Sequence, residues 1–221
     1  MEQKEFLQHW NYFCSLTVLL EGTKDFVYHG LDIDTNVAPH LVHGNVYSDR
    51  FKQIILLSAS EFEIISKSLC KECGETVSNI VDISRAILQH FPRIVQAEVI
   101  TQFCVGTPMC EWRVDSSNKV IGLDWWRAYT ALKHNEVDSY RMATLENAVL
   151  SLACLYIVEL YLMYKLFGSL ALAYNYPAVY FRSKYTAYSI NSGDGSLPDY
   201  GDQTPFEKAT EKYSFLLNDN I

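Results

Sequence analysis

Positive charge is scarce in this chain: 18 Lys and Arg stand against 26 Asp and Glu among 221 residues, for a formal net charge of -8. Proteins that coat nucleic acid non-specifically neutralise phosphates with surplus Lys and Arg, so the balance argues against that class and requires any nucleic-acid chemistry to be local. Cysteine is sparse too. The six at positions 14, 70, 73, 104, 110 and 154 form no dense framework and read as buried thiols rather than disulfides. The stretch "MEQKEFLQHWNYF" lacks a basic segment followed by an apolar run and a small-residue cleavage site, so the expected location is cytoplasmic. No Gly-rich phosphate loop, Walker sequence, Gly-x-Ser-x-Gly elbow or His-Glu-x-x-His motif occurs, which makes nucleotide hydrolysis, serine hydrolase chemistry and zinc proteolysis poor readings.

A long uninterrupted apolar run is missing as well. The most apolar region, "LENAVLSLACLYIVELYLMYKLFGSLALAY", is interrupted by Glu159 and Lys165, and its uncharged stretch from Asn147 to Val158 is short of the roughly 20 residues a spanning helix wants. It reads as the central helix of a bundle, with no membrane partner. At 49% hydrophobic, 14% aromatic and 20% charged residues the composition is far from a disordered one.

What is present is mostly helical period. Phe6, Trp10, Phe13, Leu16/Thr17 and Leu20 recur at three- and four-residue steps, as one face of a helix requires, and Gly22 ends it. The loop "HGLDIDTNVAPHLVHGNVYS" follows, with His40 and His43 as an ordinary loop pair. Ser48-Asp49 offers an N-cap to a second helix whose apolar positions keep the period until Gly74 and which carries Glu61 and Glu63. "TVSNIVDISRAILQHF" is a third helix, with Thr76 or Ser78 as cap and Pro92 beyond its end. Residues 93–124 mix β-branched residues with Gly-Thr-Pro and Asp-Ser-Ser-Asn, predicting an irregular insert with one hairpin. Asp124 then caps a helix running through Leu132 to about Val137, and a long helix from roughly Tyr140 to Tyr174 is the expected spine, stopped by Pro177. The expected division is a helical domain over 1–176 and a C-terminal tail over 177–221, rich in Gly, Ser, Asp and Pro before a short terminal helix at "FEKATEKYSFLL". The fold class is mainly α, a helical bundle.

The stretch "LDWWRAYTALKHNEVDSYR" carries the chemistry. Seven residues on a helix turn through roughly 700°, so Arg127 and His134 fall within about 20° of one face, about 10 Å apart along the axis. That spacing suits two groups working on one phosphodiester, with Arg127 steadying the phosphate and His134 moving a proton. The same residues also read as a wet helix face, with Arg127, Lys133 and His134 solvated or pairing with Glu136 and Asp138. Trp125 and Trp126 read as core anchors, with base stacking as the alternative.

Arg127, six intervening residues and His134 resemble the Arg-x4-6-His signature of the HEPN superfamily, helical proteins that include RNA-cleaving toxins and abortive-infection and CRISPR-associated ribonucleases. The helix order over roughly 48–175 is similar to that family more loosely. Ala128 follows Arg127 where active members often carry a polar residue, and Asn135 follows His134. The resemblance implies a HEPN-like bundle and a metal-independent endoribonuclease without cofactor, serving as a toxin or effector of bacterial or phage defence. Arg127 and His134 would then be catalytic, Lys133, Asn135 and Tyr129 would help to hold RNA, and Glu61 would supply an acid from an earlier helix. It further implies pairing of two copies and a regulatory or antitoxin partner. From another class comes a catalytically inactive helical module that binds a protein partner. A third reading takes Cys70-x2-Cys73 with Cys104 and Cys110 as a zinc site, although Gly74 after Cys73 also fits plain helix termination.

Overall fold

A computed structural model of the chain describes residues 1–21, 45–101, 105–168, 170, 173 and 181–182. It is mainly helical: α1 (Gln3–Glu21), α2 (Asp49–Glu72), α3 (Ile80–His90), α4 (Asp124–Lys133) and α5 (Leu145–Phe167) surround one core. Short strands β1 (Val99–Thr101), β2 (Val105–Gly106), β3 (Arg113–Val114), β4 (Val120–Ile121) and β5 (Phe181–Arg182) fill the connections.

α5 is the spine. Thr144 caps it by accepting from the backbone N–H of Asn147 at 3.2 Å, and Gly168 ends it in the left-handed region at φ 64°. It therefore begins five residues later than Tyr140, because Ser139–Met142 forms a separate 3-10 turn, and it stops well before Pro177. By length and composition it could cross a membrane, yet 78% of its most apolar window is buried inside the bundle. Its largest interface is with α2, where small residues let the backbones approach. There Ser58 and Ser151 share a buried hydrogen bond of 2.7 Å while each hydroxyl also bonds to a carbonyl of its own helix. α1 lays the expected seam of Phe6, Trp10, Phe13, Leu16 and Leu20 on the spine, with Phe13 stacked on Tyr156 at 5.6 Å.

α2 opens on Ser48, whose hydroxyl accepts from Phe51, and ends with Gly74 at φ 83° just past its Cys73 cap. α3 starts later than Thr76 or Ser78 predicts. Asn79 is the cap because its side chain accepts from the N–H groups of both Val81 and Asp82, and its amide in turn donates to the Asp82 carboxylate.

The insert is more ordered than its composition suggests. Pro92 opens a 3-10 turn over Pro92–Gln96, where its missing N–H leaves no bond unmade. β1 pairs antiparallel with both β2 and β5, so part of the expected C-terminal tail is a strand of the domain. β3 and β4 form the hairpin, tied by the Asp115 carboxylate, which accepts from the N–H groups of Ser117 and Lys119. Trp112, leading into it, is buried with its indole N–H on the Ser84 hydroxyl at 3.0 Å. Gly122 closes the hairpin at φ 82°, with no room for a side chain: a Cβ would overlap the Glu111 carbonyl and stand 2.6 Å from the Trp112 nitrogen. The His40–His43 pair, Cys104 and the expected terminal helix lie outside the described residues.

Candidate functional site

α4 is placed by its aromatic face. Trp125 is 1% exposed, with its indole N–H on the Cys154 sulfur at 3.2 Å, and Phe62 of α2 meets it edge-on at 5.1 Å. Trp126 is half-buried against Phe62 and Tyr129. Both tryptophans therefore anchor the helix, and Trp125, being fully buried, offers no ring face for base stacking. With Trp125, Ala128, Ala131 and Leu132 turned inward, the helical period leaves Asp124, Arg127, Thr130 and Lys133 exposed. Ala128 is completely buried, so a polar residue at this position would face the core rather than the motif.

The helix ends at Lys133, four residues before Val137. His134 is the cap residue, yet its N–H still reaches the Thr130 carbonyl at 3.1 Å, so it keeps the register that puts it on the Arg127 face. The stop is made by the next two residues. Asn135 is left-handed at φ 50° with its N–H on Leu132, and the Glu136 N–H closes back on the Ala131 carbonyl at 3.1 Å. Asn135 thus has a backbone reason to be there: Asn adopts this conformation more readily than most residues. Accordingly, Asn135→Gly should preserve stability and any activity, whereas Asn135→Val should destabilise by about 1–2 kcal/mol in urea unfolding. Loss of RNA binding in a stable Asn135→Gly protein would instead make its side chain a ligand contact.

Electrostatically the ridge is open. Arg127 and His134 are exposed, and among the described residues neither forms an ion pair, so of the two forms of the wet-face reading the solvated one agrees with the structure and pairing with Glu136 and Asp138 does not occur. Lys133 donates to the Tyr129 hydroxyl at 3.1 Å and lies 5.2 Å from that ring's centre. This bond chiefly, then the tyrosine's charge and the carboxylate of Glu63, holds the Lys133 ammonium above its usual range. Tyr129 itself is 6% exposed, so its ring is not a surface for a ligand.

The acid near the ridge is not Glu61, the one the sequence points to. Glu61 is turned the other way and bonded to His9 Nδ1 of α1. Its charge adds to the larger effect of burial in raising the pKa values of Tyr12 and of Glu159 in α5. Glu63, two residues on, is held by Lys67 at 2.6 Å and acts on Lys133. The reason is rotation: Phe62 points at the tryptophans, and the 100° steps on either side send Glu61 toward α1 and Glu63 toward the end of α4. The sequence signal for Glu63 is its i,i+4 partner Lys67, a pairing that marks an exposed face.

Among the described residues no group of three or more His, Cys, Asp or Glu is arranged to hold a metal. Burial, mainly, pushes the Cys70 thiol up to about 12 and raises that of Cys73, which opposes the thiolate form that zinc takes. An apolar cavity of about 130 Å³ lies between β2 and α5, lined by Val99, Pro108, Val149 and Ala153, and includes none of the ridge residues. No family model, curated protein or solved structure matches the chain in comparison with known proteins.

Proposed function

We propose that the chain is a metal-independent endoribonuclease of the HEPN type, serving as a toxin or effector of bacterial or phage defence. One observation supports this reading above the rest: Arg127 and His134 share an exposed ridge in helical register, with no carboxylate partner to neutralise the arginine among the described residues. In the proposed reaction the RNA 2′-hydroxyl attacks the adjacent phosphorus, the P–O5′ bond breaks, and a 2′,3′-cyclic phosphate and a 5′-hydroxyl form. His134 moves one of the two protons, Arg127 steadies the charge building on the phosphoryl oxygens, and Lys133 adds a second cation beside it. Pairing of two copies, bringing two ridges to one strand, belongs to the same proposal, as does a regulatory protein that holds the activity in check.

The test is cleavage of end-labelled RNA by the purified protein in EDTA. Fragments ending in cyclic phosphate support the reading. Cleavage that requires added metal, or fragments with 5′-phosphate ends, would overturn this mechanism. Absence of cleavage would move the weight to a helical module that binds a protein partner.

A further inference from the structure

The tryptophans are committed to the core, but a second aromatic pair is not. Among the described residues the large apolar side chains left exposed include Val46, Tyr47, Val137 and Tyr140, and the last is 40% and Val137 94% exposed. Two backbone bonds, Ser48 N–H to Ala143 and Leu145 N–H to Val46, bring the segment before α2 against the start of α5. The Tyr47 and Tyr140 rings then meet edge to face, 5.4 Å apart at 84°. A perpendicular pair leaves the faces of the edge-on ring uncovered by its partner.

This pair belongs to the neighbourhood of the ridge. Tyr140 follows His134 by six residues, through the turn closed by Ser139 N–H on Glu136 and Arg141 N–H on Asp138, and its 3-10 turn packs on α4. Chain length alone keeps the two within about 20 Å, a span of a few nucleotides. Exposed cations are close to the pair in sequence: Arg50 lies three residues after Tyr47 and Arg141 next to Tyr140. Among the described residues neither arginine forms an ion pair, although Asp49, Glu136 and Asp138 are close in sequence. Exposed rings on segments that also carry exposed, unpaired arginines complement an unpaired base and its phosphates, whereas stacked bases inside a duplex cannot reach such a surface.

We propose that Tyr47 and Tyr140 form a stacking platform for an unpaired nucleobase beside the phosphate held at the ridge, so that the substrate is single-stranded RNA. The proposal rests on the ribonuclease reading for its substrate class, but its test does not depend on cleavage. The probe is a short fluorescein-labelled single strand carrying 2′-O-methyl at every position, which has no free 2′-hydroxyl to attack, with the same sequence as a blunt duplex for comparison. Anisotropy should show tighter binding of the single strand than of the duplex. Tyr140→Leu and Tyr47→Leu should each weaken it about tenfold, within the range that removal of one stacked base contact gives. Tyr140→Phe should bind as the wild type does. If a leucine variant does not fold by circular dichroism, Tyr140→Trp replaces it, and its added fluorescence should be quenched by the strand.

Equal binding of strand and duplex, leucine variants that fold and bind unchanged, or an unquenched Tyr140→Trp protein would overturn the platform. If the protein cleaves unmodified RNA in a His134-dependent way while the leucine variants bind normally, the platform falls and the ribonuclease reading stands. Binding lost in the leucine variants of a protein that never cleaves RNA keeps the platform and removes the ribonuclease reading. No binding and no cleavage would remove both.

Discussion

Replacing His134 by alanine is expected to slow RNA cleavage by about 10²–10⁴-fold, the usual contribution of a positioned acid or base. Stability should change by no more than about 0.5 kcal/mol, as for other exposed side chains. The second expectation follows from the local fold: the bonds that end α4 are made by the backbone N–H groups of His134, Asn135 and Glu136, which alanine keeps. Arg127→Ala should cost about 10²–10³-fold, as loss of a transition-state charge contact does elsewhere. Arg127→Lys should recover only part of this, since an ammonium cannot reproduce a two-pronged contact to phosphate. If the two residues serve one phosphodiester, the double variant should be little slower than His134→Ala alone. Single-turnover rates with end-labelled RNA, alongside urea melts, decide it. Cleavage unchanged in a folded His134→Ala protein removes this residue from the mechanism.

The parts of this molecule that are legible in the sequence are those governed by period. The α1 seam from Phe6 to Leu20 and the inward face of α2 follow from three- and four-residue steps, and burial agrees with them residue by residue. Ends are harder, because several polar residues compete for each cap. Thr76, Ser78 and Asn79 are all acceptable by type, and Asn79 prevails through a side-chain amide that serves two N–H groups and the Asp82 carboxylate at once. Similarly, nothing in the period separates Tyr140 from α5; Thr144 does, by capping it. At the candidate site the ridge of Arg127 and His134 is readable from spacing. The orientation of Glu61 is not, since it depends on which helix Phe62 faces, and that is a tertiary choice. Tyr129 and Asn135 read as ligand contacts because they lie within and next to the motif; the structure shows a buried ring at the first and, at the second, an exposed residue with a left-handed backbone that ends the helix.

Between the ordinary carboxyl range and the raised pKa of Glu159, the protein should lose stability as pH rises, and Glu159→Gln should abolish that part of the dependence. Glu159 is fully buried in the middle of α5, and neither carboxyl oxygen has a hydrogen-bond partner among the described residues. Burial first, and the nearby charge of Glu61 second, push its pKa well above the ordinary carboxyl range. The folded chain therefore holds a proton that the unfolded chain gives up above that range. With the native state binding one proton more, the stability is fully present below the unfolded pKa and falls by about 1.4 kcal/mol for each pH unit through the window. Other groups face the same place: Glu61 from α2, and His9, Tyr12 and Cys14 from α1, the last with its thiol pushed to about 11 chiefly by burial and then by Glu159. These side chains are the same in both proteins, so the informative quantity is the difference between wild type and Glu159→Gln in urea unfolding across a pH series kept below the range of the Cys14 thiol. That difference should be small in acid and grow in favour of the variant as pH rises. Parallel curves would mean that Glu159 is solvated or paired, and would reopen the packing of α1 on α5.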